Sequence, residues 1–355
     1  MEVRRIKKTE WDALRKFNEE QYGPRHILTN KVYYDWQFDN FANEDHESYP
    51  TLGIFGKDRI LFAVLGTFPL PYTFFGRDAR ANCLANLIVD KKVRSIGYGY
   101  LLLEHIESFN DLAIDHTIND AAWPLFMKAG WRGETLKRYL YIINSERLGR
   151  LIPEGEAPDF QTSFRPGISA SGRRFNEIKK LDASIDSFWT RARFRYPVTI
   201  RRNADYLNWR YMNHPLVSYR VFTVQENADV RALVVIRVEK PQGLSVARII
   251  DFIAEEDAEG FTLARTIEEC RKTGIDFIDY FSSGSFHEKS LFEQGFVNGD
   301  KFPYSSLPIL YNPVSFKRKH LNFAVKIMSD KLSQDKGFNL AHWYTTKGGG
   351  DQDRP

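Results

Sequence analysis

The sequence predicts an α/β fold built as two tandem mixed-sheet copies, the second without a loop that the first carries. Three observations predict it. Strand-like apolar runs alternate with helical patterns along most of the chain, the mark of layered α/β architecture. Two segments recur in order: "YYDWQFDN" (33–40) is echoed by "YLNWRYMN" (206–213), and "LFMKAGWR" (125–132) by "SLFEQGFV" (290–297). Finally, "RSIGYG" (94–99) places two glycines, one residue apart, between the apolar run "CLANLIVD" and the helical pattern "YLLLEHIESF".

In chain order, a helix is expected over "TEWDALRKFNEEQY", with Thr9 as N-cap, and a helical segment over "NKVYYDWQFDNF". Strands are expected at "TLGIFG", "RILFAVLGTFP", "YTFFG" and "RANCLANLIV". The charge-free run Ile60–Gly76 contains Gly66, Pro69 and Pro71, so it reads as two short strands around a turn and not as a membrane span. A helix from the glycines to about Phe109, a strand "DLAID", a helix "NDAAWPLFMKAG" and a strand "LKRYLYII" complete the first copy. This gives a first domain over 1–145, a Pro/Gly-rich linker over 146–172, and a second domain with a C-terminal tail over 173–355.

The chain has 355 residues and a net charge of +4, too weak a positive balance to imply nucleic acid by itself. Its two cysteines, Cys83 and Cys270, are too few and too far apart for a disulfide framework or a CxxC metal site. The N-terminal stretch "MEVRRIKKTEWD" has no apolar core of a signal peptide. A cytoplasmic setting is expected, with no membrane span and no metal.

A strand, a glycine turn and a helix start together make an anion site. First-turn N–H groups lack intrahelical partners, and the helix dipole adds partial positive charge. Gly97 and Gly99 carry no Cβ to hold an anion away, and Arg94 adds a full charge. The expected occupant is a phosphate or pyrophosphate. The pattern is neither a GxGxxG fingerprint nor a Walker A loop.

"RSIGYG" resembles the Arg/Gln-x-x-Gly-x-Gly/Ala loop of the GNAT superfamily of CoA-dependent N-acyltransferases. "NDAAWPLFMKAGW" resembles that family's second motif, with Asn119, Ala122, Leu125, Gly130 and Trp131 at matching positions. The resemblance covers roughly 1–145 with both motifs, and about 175–310 by architecture alone. It implies acetyl-CoA or another acyl-CoA as cosubstrate. Arg94, Ser95, Ile96, Gly97, Tyr98, Gly99 and Tyr100 would surround its pyrophosphate. Leu87, Ile88 and Val89 would pair with the pantetheine like an added strand, with a backbone N–H near Leu87 or Ile88 polarising the thioester carbonyl. Asn119 would lie beside the pantetheine arm. Phe126 stands where many members carry a tyrosine that protonates the leaving thiolate; phenylalanine cannot, and packing in the core is its simpler role.

In the second copy, Glu255, Glu256, Asp257 and Glu259 stand where the first has Lys91, Lys92 and Arg94. Carboxylates there repel a pyrophosphate, so one CoA per chain is expected. The Arg- and aromatic-rich stretch Phe188–Tyr211 admits three readings: a solvated face, a pocket for an anionic acceptor such as a nucleotide-linked amino sugar, or a single-stranded nucleic-acid surface. The modest net charge disfavours the last. His116, with Asp115, is the candidate base for an acceptor amine, against the plainer reading of a hydrogen-bonded loop histidine; His214 and His287 are further candidates. The expected activity is N-acylation of a small-molecule amine, with an amino sugar of surface-polysaccharide synthesis as a candidate acceptor. An aminoacyl transferase of the Fem kind, which would not need the intact loop, and a non-catalytic CoA-binding module are the alternatives.

Overall fold

The computed structural model describes residues 1–106, 110–153, 156–167, 172–317, 320–332 and 334–350. From the N-terminus run β1 (Glu2–Lys7), α1 (Trp11–Tyr22), α2 (Lys31–Phe38), β2 (Ser48–Phe55), β3 (Leu61–Phe74), β4 (Arg77–Val89), α3 (Tyr98–His105), β5 (Leu112–Ile118), α4 (Trp123–Lys128), β6 (Arg132–Thr135) and β7 (Lys137–Ile142). There follow β8 (Arg174–Ile178), α5 (Ala183–Ala192), β9 (Val198–Ile200), α6 (Ala204–Leu207), β10 (Arg220–Glu226), β11 (Asp229–Glu239), β12 (Val246–Ala254), α7 (Glu259–Lys272), β13 (Phe277–Ser282), α8 (Glu288–Glu293) and β14 (Val297–Asn298). A small hairpin, β15 (Leu310–Tyr311) and β16 (Val314–Ser315), precedes β17 (Asn322–Ile327) and α9 (Gln334–Phe338).

One sheet runs β1-β2-β3-β4-β5-β17-β6, with β9 on the edge of β3; the other runs β8-β10-β11-β12-β13-β7-β14. The two orders correspond strand for strand. In each, the pairs β4–β5 and β12–β13 are parallel and the remaining pairs antiparallel. The strand "LKRYLYII", expected to close the first sheet, instead lies between β13 and β14 of the second. Its counterpart β17 returns from the C-terminal side to lie between β5 and β6. The two copies therefore exchange one strand each. The exchange is short-range: Leu136, the single residue between β6 and β7, donates its N–H to the carbonyl of Leu321, just ahead of β17, at 2.8 Å. After Lys137 and Arg138, β7 is the uncharged run Tyr139–Ile142, and the strand is buried along most of its length, as one flanked on both edges should be.

The echoed segments also meet. Trp36 in α2 and Trp209 just after α6 stack at 5.1 Å. Each indole N–H donates to the other's backbone carbonyl, at 3.0 and 2.9 Å. A repeat visible in the sequence is here a reciprocal contact between the two echoed segments.

Two local expectations change. The helix cap is not Thr9: α1 starts at Trp11, and Glu10 closes the entry by accepting from the N–H of Lys7 at 3.0 Å. The Ile60–Gly76 run is one 14-residue strand, not two around a turn. Its prolines are tolerated because they fall between Leu65, the last β2 partner, and Tyr72, the first β9 partner. No strand pairs with that edge there, so the missing N–H groups are not needed. The turn that does occur, Phe75–Gly76, has both residues at positive φ, the two-residue hairpin geometry. The expected end of α3 near Phe109 lies outside the described residues, where α3 is seen to His105.

Candidate acyl-CoA site

The β4–β5 pairing runs from Ala81↔Leu112 to Leu84↔Asp115 and stops there, although β4 continues to Val89. The cause is a bulge. Asn86 and Leu87 of β4 oppose the single Leu65 of β3, and Asn86 adopts φ 62°. Asparagine tolerates this left-handed region better than other side chains. A bulge bends its strand, so Leu87, Ile88 and Val89 diverge from β5 and leave a wedge between two parallel strands. All three are half-buried. The sequence signal for this bend was available: Asn86 is a polar, αL-tolerant residue inside an apolar strand.

"RSIGYG" closes the wide end of the wedge. Asp90 caps a 3-10 turn, accepting from the N–H of Lys92 at 3.0 Å. Arg94 folds back so that its Nε donates to the carbonyl of Val89 at 3.3 Å. Gly97 has φ 89° and ends this turn, and α3 begins at Tyr98. A Cβ built on Gly97 meets no atom within 4 Å, so the glycine faces open space. Gly99 behaves differently. Its Cβ would lie 3.1 Å from Leu125 Cδ2 and face Val89 and Leu87. That glycine lets α3 pack close to α4 and β4; it does not clear room for an anion, as the sequence suggested. Ile96 is exposed, Tyr98 stacks on Phe62 at 6.1 Å, and Tyr100 is half-buried with its hydroxyl held by Glu104. The side chain of Ser95 lies outside the described residues.

Across the wedge, the Asn119 Oδ1 accepts from the Ala122 N–H at 2.8 Å, which fixes the turn into α4 at the end of β5. Phe126 is 1% exposed and stands edge-on to Trp131 at 5.0 Å. It is a core residue.

The second copy has the same splay, filled by the chain itself. The β12–β13 pairing ends at Ile249↔Tyr280 while β12 runs on to Ala254. Tyr344 inserts there, its hydroxyl on the Phe252 carbonyl and 2.8 Å from the Tyr280 hydroxyl. The Tyr196 hydroxyl engages both the N–H and the carbonyl of Ala254, at 3.1 and 3.2 Å. Thr345 and Thr346 pair with Ser283 and Ser282 like an added strand. The second wedge is thus filled by side chains and backbone of the chain itself.

The Arg-rich stretch is spent internally. Arg191 pairs with Glu255 at 3.0 Å, Arg195 with Glu259 at 2.6 Å and Arg202 with Asp251 at 2.9 Å. Arg193 and Arg201 both face Asp78, and Arg210 donates to the carbonyls of Gly348 and Gly350. All six are engaged by carboxylates or carbonyls, and Arg201 borders an open cleft while paired with Asp78. They neutralise the acidic loop of the second copy and bind the two sheets together.

His116 is 2% exposed, lies 3.4 Å from the Tyr72 hydroxyl, and is covered by the backbone of Gly349 and Gly350. Burial, then the nearby Arg202 and Arg210 charges, push its pKa down to about 3. Such a ring is neutral at pH 7 and holds a proton too weakly to draw one from an amine. Asp115 is likewise buried. The expected base is thus part of the packed seam. His214 is buried with its Nδ1 accepting from the N–H groups of Leu216 and Val217, and His287 is buried against Glu259.

The depressed affinity has a stability consequence. The folded value lies below the unfolded 6.5, so between about pH 6.5 and 3 the unfolded chain binds the extra proton and stability falls as pH falls. Denaturant melts at pH 7 and pH 5 should show His116→Gln losing about 2 kcal/mol less than the parent over that step. Identical losses would mean that His116 is not buried as described.

Among the described residues, no helix is long and apolar enough to cross a membrane, and no group of three or more His, Cys, Asp or Glu could hold a metal ion. No protein-family model and no curated protein matches the chain in sequence. Solved structures do match in fold. A GCN5-related N-acetyltransferase from Anabaena variabilis aligns with TM-score 0.61 and 9% identity, over 92% of this chain and 73% of its own. A probable N-acyltransferase from Enterococcus faecalis aligns with TM-score 0.62 and 10% identity, over 92% and 72%. The Saccharomyces cerevisiae N-myristoyltransferase with bound myristoyl-CoA aligns with TM-score 0.50 and 11% identity, over 92% and 78%. At these identities the likeness shows the fold: the chain is folded as the GCN5-related N-acetyltransferases are.

Proposed function

We infer that this chain, with the fold of the GCN5-related N-acetyltransferases, is an acyl-CoA-dependent N-acyltransferase acting through its first sheet. The observation that carries this reading is the β4–β5 wedge opening onto "RSIGYG", with Gly97 facing free space at the start of α3. The residues present fit a CoA: a strand edge for the pantetheine amides, and a glycine turn with Lys91, Lys92 and Arg94 for the pyrophosphate.

The thioester supplies the activated acyl group. The protein's part is mostly positioning, which can contribute about 7–11 kcal/mol when two reactants are held in line. The diverging backbone of Leu87–Val89 would offer an N–H to the charge growing on the thioester oxygen, a contact worth about 3–4 kcal/mol where such donors have been removed. With Phe126 in the core, no tyrosine protonates the leaving thiolate at that position. With His116 sealed in the seam, an acceptor amine would arrive already deprotonated. An amine with a pKa near 8 is about one-tenth free base at pH 7, which favours weakly basic acceptors such as an amino sugar over lysine side chains. Acetyl is the simplest acyl group for the site.

Titration calorimetry should give one acetyl-CoA per chain, since the second wedge is occupied by Tyr344 and Tyr196. A thiol-release assay against an amine panel should show turnover with amino sugars. Two equivalent CoA sites would overturn the assignment of a single working copy, and no turnover with any amine would overturn the enzymatic reading.

A further inference from the structure

A second cavity, of about 920 Å³, opens at the other end of β4. It lies beside the closed start of the β4–β5 pair, where Asn82 aligns with Ala113, away from the glycine loop. We propose that this cleft binds a polyhydroxylated amine of the amino-sugar class, a ligand distinct from CoA.

The first support is Asn82. It lines the cleft, is 6% exposed, and its side-chain amide has no hydrogen-bond partner among the described residues. Its polar atoms face the open cleft, so a ligand there can take up their hydrogen bonds. An amide offers a donor and an acceptor side by side, which matches a pair of neighbouring hydroxyls. Asn110 is also on the wall.

The second is charge. Five carboxylates and three guanidiniums line the cleft. The guanidiniums are taken: Arg5 pairs with Asp45 at 3.4 Å, Arg201 with Asp78 at 3.2 Å, and Arg80 with Glu44. Asp111 and Asp205 have no cation partner among the described residues. The Asp111 carboxylate accepts the backbone N–H of Arg80, at 3.0 Å. With Arg193 also facing Asp78, the excess is one negative charge, which favours a cation and disfavours a nucleotide diphosphate. The third is Phe41, 45% exposed on the cleft wall and backed by Trp209 at 5.7 Å. A fixed, open ring face suits the C–H face of a pyranose or an ammonium group.

The inference concerns binding and does not require that the ligand be acylated, so it is tested without acyl-CoA. The fully deacetylated glucosamine tetramer, the N-acetylated tetramer and a lysine tetrapeptide are titrated calorimetrically against the full chain. The deacetylated sugar should bind at least tenfold more tightly than either of the others. Asn82→Leu should weaken it at least tenfold and Asp111→Asn several-fold, with thermal melts confirming folded protein. Should Asn82→Leu fail to fold, Asp205→Asn at the exposed rim carries the test, with a several-fold loss expected. Absence of binding, equal binding of the lysine peptide, or unchanged affinity in the folded variants would each overturn the proposal.

Discussion

Gly97→Val should abolish acyl-CoA binding, with affinity falling at least a hundredfold, while the protein stays folded. The glycine holds φ 89° at the junction between the 3-10 turn and α3. Valine in this region is strained by about 1–3 kcal/mol, so the turn would relax and its N–H groups would no longer converge. The side chain would also enter the open space in front of the helix start, where a Cβ meets nothing within 4 Å. That vacancy is why the fold should tolerate the change: no protein atom is displaced and no core area is lost. Arg94→Ala should be milder, a loss of about 1–3 kcal/mol in binding, the scale of one charge-assisted contact. CoA titrations beside thermal melts decide it. If Gly97→Val binds CoA like the parent, "RSIGYG" is a turn and nothing more, and the acyltransferase reading loses its main support.

What the sequence carried, and what it did not, follows from range. The glycine loop was legible because a strand, a turn and a helix start are contiguous, and the chemistry of each lies within a few residues. The Trp36 and Trp209 segments were legible as echoes because each copy needs the same anchor. The strand exchange was not, since "LKRYLYII" carries a strand pattern that is equally satisfied beside β5 or beside β13. Nothing local says which sheet receives it. The arginines of Phe188–Tyr211 misled for the same reason: Glu255, Glu259 and Asp251, which neutralise three of them, lie about 50 or more residues away. His116 read as a base because it follows the run "DLAID", but β5 continues through it to Ile118. Its burial under Gly349 and Gly350 depends on a segment far along the chain. Asn82 and Asn86 were present as two polar residues in an apolar strand, and each marks a feature that the apolar pattern alone hides: an open cleft and a bulge.

Asp251→Ala should be the most destabilising single change away from the acyl-CoA site, costing about 3–5 kcal/mol. The carboxylate is fully buried in β12 of the second sheet. It accepts from Arg202 Nε with both oxygens, at 3.1 and 2.9 Å, from the Tyr211 hydroxyl at 3.0 Å and from Thr346 Oγ1 at 3.3 Å. Arg202 follows β9, which belongs to the first sheet, and Thr346 belongs to the segment that fills the second wedge. Alanine therefore leaves a guanidinium, itself 2% exposed, without its counter-ion at the junction of both sheets. Replacing both partners, as Arg202→Met with Asp251→Leu, should cost less than the single change, because no buried charge is then stranded. The two copies should still unfold together. With β7 and β17 exchanged, neither sheet can be completed while the other is open, so urea melts should shift to a lower midpoint and remain one transition. CoA affinity measured well below the midpoint should be unchanged, since none of the Asp251 carboxylate's hydrogen bonds comes from Leu87–Val89 or the glycine loop. A loss under about 1 kcal/mol would mean that the seam does not depend on this ion pair. A split into two transitions would mean that the exchanged strands do not couple the copies.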